Sequence, residues 1–280
     1  MLYALKLYSE AVERLRPVTP FPEKESLSLL TCALDLPDST PVMLDLRNLT
    51  IEYSVASRFE ELVKRRECFE PMAYILGNEK FYGRVFEVNQ NVLIPRPETE
   101  FLLDIILNQY DLPETGYCLD VGTGSGVIAI TMKLERPELE VFGTDISYAA
   151  LKIAARNSIL LKASVTLLQA DLMNVFQKNS IDILISNPPY ISDSQKVSLQ
   201  RDIIDYEPHQ ALFSDHSGLS HLFQILGQCP KILKPGGSAF LEIGEEQLPM
   251  LENECKKYRY SDWEFIKDFH NKNRFLRILI

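Results

Sequence analysis

Cysteine and histidine are scarce in this sequence, and neither is arranged like a set of metal ligands. The five cysteines and four histidines are scattered along the chain: Cys32, Cys68, Cys118, Cys229, Cys255, His209, His216, His221 and His270. An odd, scattered set of cysteines is typical of reduced, mostly buried thiols. We therefore expect no bound metal, and a protein of the cytoplasm.

Positive charge is also in short supply. The chain has 29 lysines and arginines against 39 acidic residues, a net charge of −10. A large nucleic-acid interface needs a basic face to neutralise phosphates, so this balance argues against one. The run Lys64-Arg65-Arg66 is either a local basic patch or the solvated end of a helix. We favour the helix end, because the helix dipole stabilises cations there.

Long hydrophobic runs are absent as well. No apolar stretch approaches the ~18 residues that a membrane-spanning helix needs. Lys6, Glu10 and Glu13 interrupt the apolar pattern near the N-terminus, so we expect no signal peptide. The sequence shows no internal repeat and no low-complexity segment. We expect a monomer that does not bind a membrane.

What the sequence does contain, from residue 98 onward, is a regular alternation of apolar strands with helices. This alternation predicts an α/β fold, a parallel sheet with helices on both faces. A short polar loop separates the last two strands and leaves no room for a crossover helix, so they must pair antiparallel. The predicted strands cover residues 118–121, 139–144, 165–169, 181–186, 238–243, 263–267 and 274–280.

The first part of the chain has a different character. Residues 1–77 are predicted to form a helical domain, with residues 78–97 as a β-hairpin linker and residues 98–280 as the sheet domain. The hairpin is predicted to have strands at 81–88 and 92–94 around a turn at 89–91. The helices are inferred from apolar residues at helical spacing, namely Leu5, Tyr8, Val12 and Leu15, then Leu27, Leu30 and Leu34, then Phe59, Leu62 and Val63. Prolines punctuate them at Pro17, Pro20, Pro22, Pro37 and Pro41.

A glycine-rich turn follows the first predicted strand of the sheet and precedes a helix. Its sequence is Gly122-Thr123-Gly124-Ser125-Gly126. Glycines let a ligand approach the backbone closely, and the free N–H groups of the helix start point toward it. A dinucleotide site would need Gly or Ala where Val127 stands, and Asp120 before the turn would repel a pyrophosphate. A carboxylate at Asp120 suits a cation instead, such as the amino group of a methionine moiety.

Two further acids follow the second and third strands. Asp145 lies about twenty residues beyond the glycine turn, where an acid at a strand end binds ribose hydroxyls. It is equally suited to cap the next helix. Asp171 is placed to face an adenine amino group or to cap a turn.

The fourth strand ends in Asn187-Pro188-Pro189-Tyr190. The prolines cannot donate to a sheet ladder, so the strand stops and the chain stays extended. The Asn187 side-chain carbonyl and the Pro188 main-chain carbonyl are then two fixed acceptors, which suit the two donors of an –NH2 group beside the Tyr190 ring. The alternative is a simple strand-ending turn.

These four strand ends, taken in order, describe an S-adenosylmethionine site that faces a pocket for an amino group on an amide or a nucleobase. The predicted cofactor contacts are Asp120, Gly122, Thr123, Gly124, Gly126, Asp145, Asp171 and Asn187. The predicted catalytic residues are Asn187, Pro188 and Tyr190, and Pro189 joins them in binding the substrate. The expected product is S-adenosylhomocysteine.

The chain resembles the HemK/PrmC family, the protein-glutamine methyltransferases of peptide chain release factors. The matching strings are Arg65-Arg66 with Pro71, Ala73-Tyr74-Ile75-Leu76-Gly77, Phe81-Tyr82-Gly83, Leu93-Ile94-Pro95-Arg96-Pro97-Glu98-Thr99-Glu100, Asp120 to Gly126, Asn187 to Tyr190, Glu207-Pro208, Ala211-Leu212, Gly218-Leu219, Gly236-Gly237 and Glu242-Ile243-Gly244. The segment 214–217 departs from the glycine-rich form that is usual in the family.

The resemblance implies a Rossmann-like class I S-adenosylmethionine-dependent methyltransferase sheet plus a small N-terminal helical domain. It implies methyl transfer to the side-chain amide nitrogen of the glutamine in the Gly-Gly-Gln motif of release factors, which modulates translation termination. The helical domain is then expected to help hold the release factor.

Two questions stay open from the sequence, namely which function the chain has and what residues 98–100 do. An adenine-amino methyltransferase of nucleic acid and a non-catalytic S-adenosylmethionine-dependent scaffold protein are the competing functions. Glu98, Thr99 and Glu100 are candidates to line the pocket, although Glu98 and Glu100 also suit a helix N-terminus.

Overall fold

The computed structural model describes residues 2–36, 46, 49–258 and 260–280. The predicted helix breaks at Pro37 and Pro41 lie outside these residues. The chain divides into two compact units. The first comprises Met1–Gly77 together with Gln200–Tyr206, and the second comprises Asn78–Leu199 and Glu207–Ile280.

The helices and strands have the following bounds. In chain order the helices are α1 (Ala4–Leu15), α2 (Pro22–Ala33), α3 (Tyr53–Glu67), α4 (Met72–Leu76), α5 (Pro97–Gln109), α6 (Val127–Glu135), α7 (Tyr148–Leu160), α8 (Arg201–Tyr206), α9 (His209–Leu212), α10 (Asp215–Gly218), α11 (Ser220–Ile232) and α12 (Leu248–Cys255). The strands are β1 (Leu2–Tyr3), β2 (Thr50–Ile51), β3 (Asn78–Phe81), β4 (Arg84–Glu87), β5 (Gly116–Val121), β6 (Leu139–Asp145), β7 (Val165–Gln169), β8 (Ile181–Ser186), β9 (Leu233–Glu242), β10 (Asp262–Lys267) and β11 (Asn273–Leu279). Short 3-10 helices cover Asp193–Ser198 and Glu245–Gln247.

The first unit has its own apolar core. Leu15 of α1, Leu30 of α2 and Val63 of α3 are fully buried in one cluster. The prediction that Leu5 faces this core is wrong, because its side chain is exposed while the neighbouring Ala4 is buried. The small alanine lets the helix approach its neighbours more closely than leucine would.

The basic run at the end of α3 is only partly solvated. Lys64, Arg65 and Arg66 occupy the last turn of the helix, which confirms their predicted position. Arg66, however, is buried and binds Glu25 with 2.7 Å between Arg66 Nε and Glu25 Oε2. A buried guanidinium needs such a partner, so this arginine belongs to the core of the unit.

The second unit is built on a seven-stranded sheet in the described part of the chain, with strand order β10-β11-β9-β8-β5-β6-β7. Strands β9, β8, β5, β6 and β7 run parallel, while β11 pairs antiparallel with both β9 and β10. This confirms the predicted parallel sheet with an antiparallel terminal hairpin. Apolar layers cover both faces, one with α5 and α6 and the other with α11 and α12.

The sheet topology fixes where a ligand can bind. The chain moves outward from β5 through β6 to β7 and then returns to β8 on the other side of β5. Ligands of open α/β sheets bind at such a reversal, beyond the carboxyl ends of the strands. The segments that follow β5 and β8 are the glycine turn and Asn187–Tyr190.

This region does contain a β-hairpin, but its strands and its turn differ from the prediction. β3 and β4 pair antiparallel and are joined by Tyr82 and Gly83, which have φ of 50° and 71°. A two-residue hairpin turn of this kind requires left-handed backbone, which glycine supplies easily. The predicted turn at 89–91 is present, since Val92 N donates a hydrogen bond to Asn89 O, but residues 92–94 do not form the predicted return strand.

Candidate active site

A single cavity at the carboxyl ends of the strands collects most of the predicted site residues. Gly122, Thr123, Gly124, Asp145, Asp171, Asn187, Pro188 and Pro189 all line it. Asp120, Gly126 and Tyr190 are not among the lining residues.

The glycine turn leaves room for a ligand. Gly122 and Gly124 have φ of 74° and 55°, and a Cβ built on Gly122 would meet nothing within 4 Å. Their backbone conformation needs glycine, while the space beside them stays open. Gly126 differs, since a Cβ there would lie 2.9 Å from Ile130 Cδ1 and 3.2 Å from Ala154 Cβ. Gly126 therefore permits close packing of α6 against α7.

Asp120 organises the glycine turn from inside. Its Oδ2 accepts hydrogen bonds from Thr123 Oγ1 at 2.6 Å and from Ala129 N at 3.1 Å, and the residue is fully buried. Its Oδ1 has no hydrogen-bond partner among the described residues. Burial raises the pKa of Asp120 to about 7, against the lowering effect of the two hydrogen bonds. Its predicted contact with the cofactor stays a prediction.

Asp145 connects the glycine turn to the end of β6. Its Oδ2 accepts a hydrogen bond from Gly124 N at 2.9 Å, and its Oδ1 accepts one from Ser147 N at 2.8 Å. The residue that caps α7 is Ser147, whose Oγ accepts a hydrogen bond from Ala150 N at 3.2 Å. Asp145 is therefore not the helix cap. Burial raises the pKa of Asp145, partly offset by its backbone hydrogen bonds.

The Asn-Pro-Pro-Tyr segment is anchored by a buried chain of hydrogen bonds. Asn187 Nδ2 donates to Thr99 Oγ1 at 2.9 Å, and Thr99 Oγ1 donates to Glu242 Oε2 at 2.7 Å. Tyr190 Oη donates to Glu242 Oε1 at 3.0 Å. Because the NH2 group of Asn187 is bound to Thr99, its carbonyl oxygen is the end of the amide left to accept a further hydrogen bond.

Burial is the main influence on the pKa values of the groups in this hydrogen-bonded chain. Glu242 is 1% exposed, and burial raises its pKa, against the lowering effect of the hydrogen bonds from Thr99 and Tyr190 and of the nearby Arg274 charge. Burial and the Glu242 carboxylate also raise the pKa of Tyr190. The tyrosine hydroxyl therefore keeps its proton and donates a hydrogen bond to Glu242.

Sequence reasoning missed a second anchor of the segment, Gln247. Its buried side chain donates from Nε2 to the main-chain oxygens of Tyr190 at 2.9 Å and Gly218 at 3.1 Å. Gly218, with φ of 82°, packs directly on the Tyr190 carbonyl and leaves no space for a Cβ. Glu242 and Gly218 were visible in strings that resemble the family, but neither carried a predicted role.

The segment 214–217 now has a defined conformation. His216 and Ser217 of α10 adopt left-handed backbone, with φ of 52° and 59°. Ser214 Oγ lies 2.7 Å from His221 Nδ1, and His221 lines the cavity. The turn that replaces the glycine-rich form therefore ends beside the candidate site.

Another buried carboxylate supports the rim of the cavity. Glu207 Oε2 accepts a hydrogen bond from Ile94 N at 3.1 Å, and its Oε1 pairs with Arg96 at 2.5 Å. Pro95 and Arg96 line the cavity. Glu207 thus fixes the residues that precede α5.

The described residues contain no group of three or more histidine, cysteine, aspartate or glutamate side chains that could hold a metal ion. No helix in the described ranges is both long and apolar enough to cross a membrane.

Comparison with known proteins agrees with this geometry. The Methyltransferase small domain model matches residues 97–215 and the PrmC N-terminal domain model matches residues 6–77. The fold is shared with a methyltransferase from Pyrococcus furiosus, at a TM-score of 0.54 and 18% identity, over 71% of this chain and 89% of that one. The sheet, the cavity and these matches define a Rossmann-like class I methyltransferase.

The relatives by sequence define the family more narrowly. The release factor glutamine methyltransferase of Staphylococcus aureus is 37% identical over 78% of this chain and 78% of its own length. That of Bacteroides thetaiotaomicron is 35% identical over 94% of this chain and 95% of its own length. The chain belongs to the release factor glutamine methyltransferase (HemK/PrmC) family.

Proposed function

We propose that this protein transfers a methyl group from S-adenosylmethionine to the side-chain amide nitrogen of the glutamine in the Gly-Gly-Gln motif of peptide chain release factors. The modification modulates translation termination. The observation that carries the proposal is the Asn187 amide, whose NH2 group is bound to Thr99 and whose carbonyl oxygen is left as an acceptor at a cavity lined by Pro188. A glutamine amide supplies the matching donors.

The cavity fits S-adenosylmethionine. The open space beside Gly122 and Gly124 admits a ligand to the backbone of the turn, and Asp145 presents a carboxylate to the same cavity. We propose that Asp145 binds the ribose hydroxyls, that Asp171 faces the adenine, and that Asp120 and Gly126 act by shaping the turn. The cofactor supplies a methyl group on a sulfonium, from which a neutral thioether departs as a good leaving group. The proposed reaction therefore calls for no metal.

The chemical task of the protein is to hold a poor nucleophile. An amide nitrogen has its lone pair delocalised into the carbonyl group. Acceptors at Asn187 Oδ1 and Pro188 O bind its two N–H bonds, orient it, and stabilise the positive charge that grows on nitrogen during transfer. The surplus proton then passes to water, since the Asn-Pro-Pro-Tyr segment contains no base.

Tyr190 contributes in a way that the sequence did not reveal. Its hydroxyl is bound to Glu242, which ties the end of the segment to β9. We propose that Tyr190 holds Asn187 and Pro188 in register through this bond. The packing of its ring on the substrate amide stays a prediction.

We further propose that the release factor docks on the helical first unit, whose described residues do not line the cavity. The enzyme is proposed to act as a monomer in the cytoplasm, where translation supplies its substrate. Docking predicts that a whole release factor has a KM at least about tenfold lower than a short Gly-Gly-Gln peptide. Equal KM values for factor and peptide would contradict docking.

The test of the proposed function is methyl transfer from labelled S-adenosylmethionine to a release factor. The matched control is the same factor with Gly-Gly-Ala in place of Gly-Gly-Gln. We expect label in the first and none in the second. Equal labelling of both factors, or labelling of ribosomal RNA instead, would contradict the proposal.

A further inference from the structure

The amide of Asn187 has two ends of nearly equal size and opposite hydrogen-bonding character. Turning it over by 180° would exchange the carbonyl oxygen for the NH2 group with little change in shape. In the reversed orientation a donor would meet the donors of a substrate amide. Activity of the kind proposed above thus depends on what holds this amide the right way round.

The hydrogen bonds of Thr99 determine that orientation. A threonine hydroxyl has one proton to donate. Burial opposes ionisation of Glu242, while the hydrogen bonds from Thr99 and Tyr190 and the charge of Arg274 favour it. Thr99 Oγ1 lies 2.7 Å from Glu242 Oε2, and in its ionised form the carboxylate can only accept, so the proton of Thr99 is directed at Glu242. Thr99 Oγ1 can then only accept from Asn187, 2.9 Å away, and the group it accepts from must be the NH2 group.

Glu242 is well placed to impose this direction. It is 1% exposed, and its second oxygen accepts from Tyr190 Oη at 3.0 Å, so both oxygens receive donors. The chain of bonds therefore runs one way, from Asn187 through Thr99 to Glu242. A neutral group at position 242 could donate as well as accept, and Thr99 could then donate to a reversed Asn187 amide.

We propose that Glu242 is a positioning residue that, through Thr99, makes Asn187 present its carbonyl oxygen rather than its NH2 group to the substrate amide. The consequence for catalysis rests on the function proposed above. The orientation of the amide is a property of the free protein. It can be measured without substrate.

Three substitutions probe the chain, and one serves as a control. Thr99→Val removes the hydroxyl with little change in shape, Thr99→Ser keeps it, and Glu242→Gln removes the charge. The control is Thr131→Val, because Thr131 is also a fully buried threonine and its hydroxyl has no hydrogen-bond partner among the described residues.

The first measurement is hydrogen exchange of the Asn187 side-chain NH2 group by NMR, in the full chain without substrate. The signal is assigned by its loss in Asn187→Ala. We expect slow exchange in the wild type, Thr99→Ser and Thr131→Val. Exchange should be at least about tenfold faster in Thr99→Val, which loses the acceptor, and in Glu242→Gln, in which the direction of the Thr99 hydroxyl is no longer fixed. Equal exchange rates in all five proteins would overturn the proposal.

The second measurement is turnover on a release factor, with S-adenosylmethionine affinity measured by calorimetry. Thr99→Val should lower kcat by about tenfold to a hundredfold and Glu242→Gln by several-fold, with cofactor affinity within about twofold of the wild type. The Thr99→Ser and Thr131→Val proteins should keep kcat within a few-fold. The double variant Thr99→Val/Glu242→Gln should be no slower than Thr99→Val, since both changes act on one amide.

The two measurements separate this proposal from the function on which it rests. Unchanged kcat in Thr99→Val and Glu242→Gln, from an enzyme that methylates the release factor, would overturn the role of Glu242 and leave the function standing. If the wild type does not methylate the factor, the proposed function fails, and the exchange rates still decide the orientation of the amide.

Discussion

Gln247 Nε2 donates a hydrogen bond to the main-chain carbonyl of Tyr190 at 2.9 Å. The same nitrogen donates to Gly218 O at 3.1 Å, so one buried side chain fastens the Asn-Pro-Pro-Tyr segment to the turn that precedes α11. Gln247 Oε1 in turn accepts from Gly244 N at 3.0 Å, just beyond β9. The acceptors proposed to hold the substrate are thus fixed from two sides, by Glu242 and by Gln247.

Replacing Gln247 with leucine should destabilise the protein. The change leaves two buried carbonyl groups without their donor, which costs about 1–3 kcal/mol of unfolding free energy. Chemical denaturation measures the effect. The matched control is Gln224→Leu on the exposed side of α11, which should change stability by less than about 0.5 kcal/mol. Equal stability of the two variants would mean that Gln247 does not clamp the segment.

Two glycines of the turn should respond differently to alanine. Gly126→Ala places a Cβ against Ile130 and Ala154, so overpacking and left-handed backbone should together cost about 2–4 kcal/mol of stability. Gly122→Ala meets open space and should cost only the backbone strain, about 1–2 kcal/mol, but should weaken cofactor binding. Thermal unfolding and calorimetry measure both properties. A more stable Gly126→Ala than Gly122→Ala would contradict this account.

Asp145→Ala should weaken S-adenosylmethionine binding by about tenfold or more, since a charge-assisted hydrogen bond contributes roughly 1.5–3 kcal/mol. The control is Ser147→Ala, which removes the cap of α7 at a cost of about 1 kcal/mol of stability and should leave affinity within about twofold. If calorimetry finds the Asp145→Ala affinity unchanged, the carboxylate serves only to tie Gly124 to β6.

The buried Asp120 should make stability depend on pH. Its pKa is raised from 3.8 to about 7 in the folded protein, so the folded state holds this proton more tightly than the unfolded state. Its contribution to stability is fully present below pH 3.8 and is lost as pH rises through 7, by roughly 1.4 kcal/mol per pH unit between these values. The Asp120→Asn protein has no carboxyl group at this position, so its stability should not fall with pH in this way.

Denaturation of both proteins at several pH values tests the prediction. The stability of Asp120→Asn relative to the wild type should increase from pH 4 to pH 7 and then level off. The control is Asp111→Asn, because Asp111 is an exposed carboxylate near the start of β5. A stability difference between Asp120→Asn and the wild type that stays constant with pH would show that Asp120 titrates alike in the folded and unfolded chain.

The strands of the sheet could be predicted from the sequence because their signal is local. The strands at 165–169 and 181–186 are found at the predicted residues, since each is a short apolar run bounded by turn residues. The hairpin turn was misplaced because the left-handed pair Tyr82 and Gly83 sits inside an alternating run that reads as one strand. Local alternation does not reveal a two-residue turn whose first residue is tyrosine.

The support of the site could not be predicted in the same way. Thr99 and Glu242 are 143 residues apart, and only the folded sheet brings them together. One signal was available, because a charged residue near the end of an apolar strand must find a partner when it is buried. Glu242 in the predicted strand 238–243 is such a residue, but nothing in the sequence names Thr99 and Tyr190 as its partners.

The most direct test of the central claim is turnover of Asn187→Ala on a release factor, with cofactor affinity measured in parallel. The substitution removes an acceptor that matters most when charge develops on the substrate nitrogen. The account predicts a fall in kcat of about a hundredfold or more, with S-adenosylmethionine affinity nearly unchanged. Activity within a few-fold of the wild type would contradict the claim that Asn187 holds the amide that is methylated.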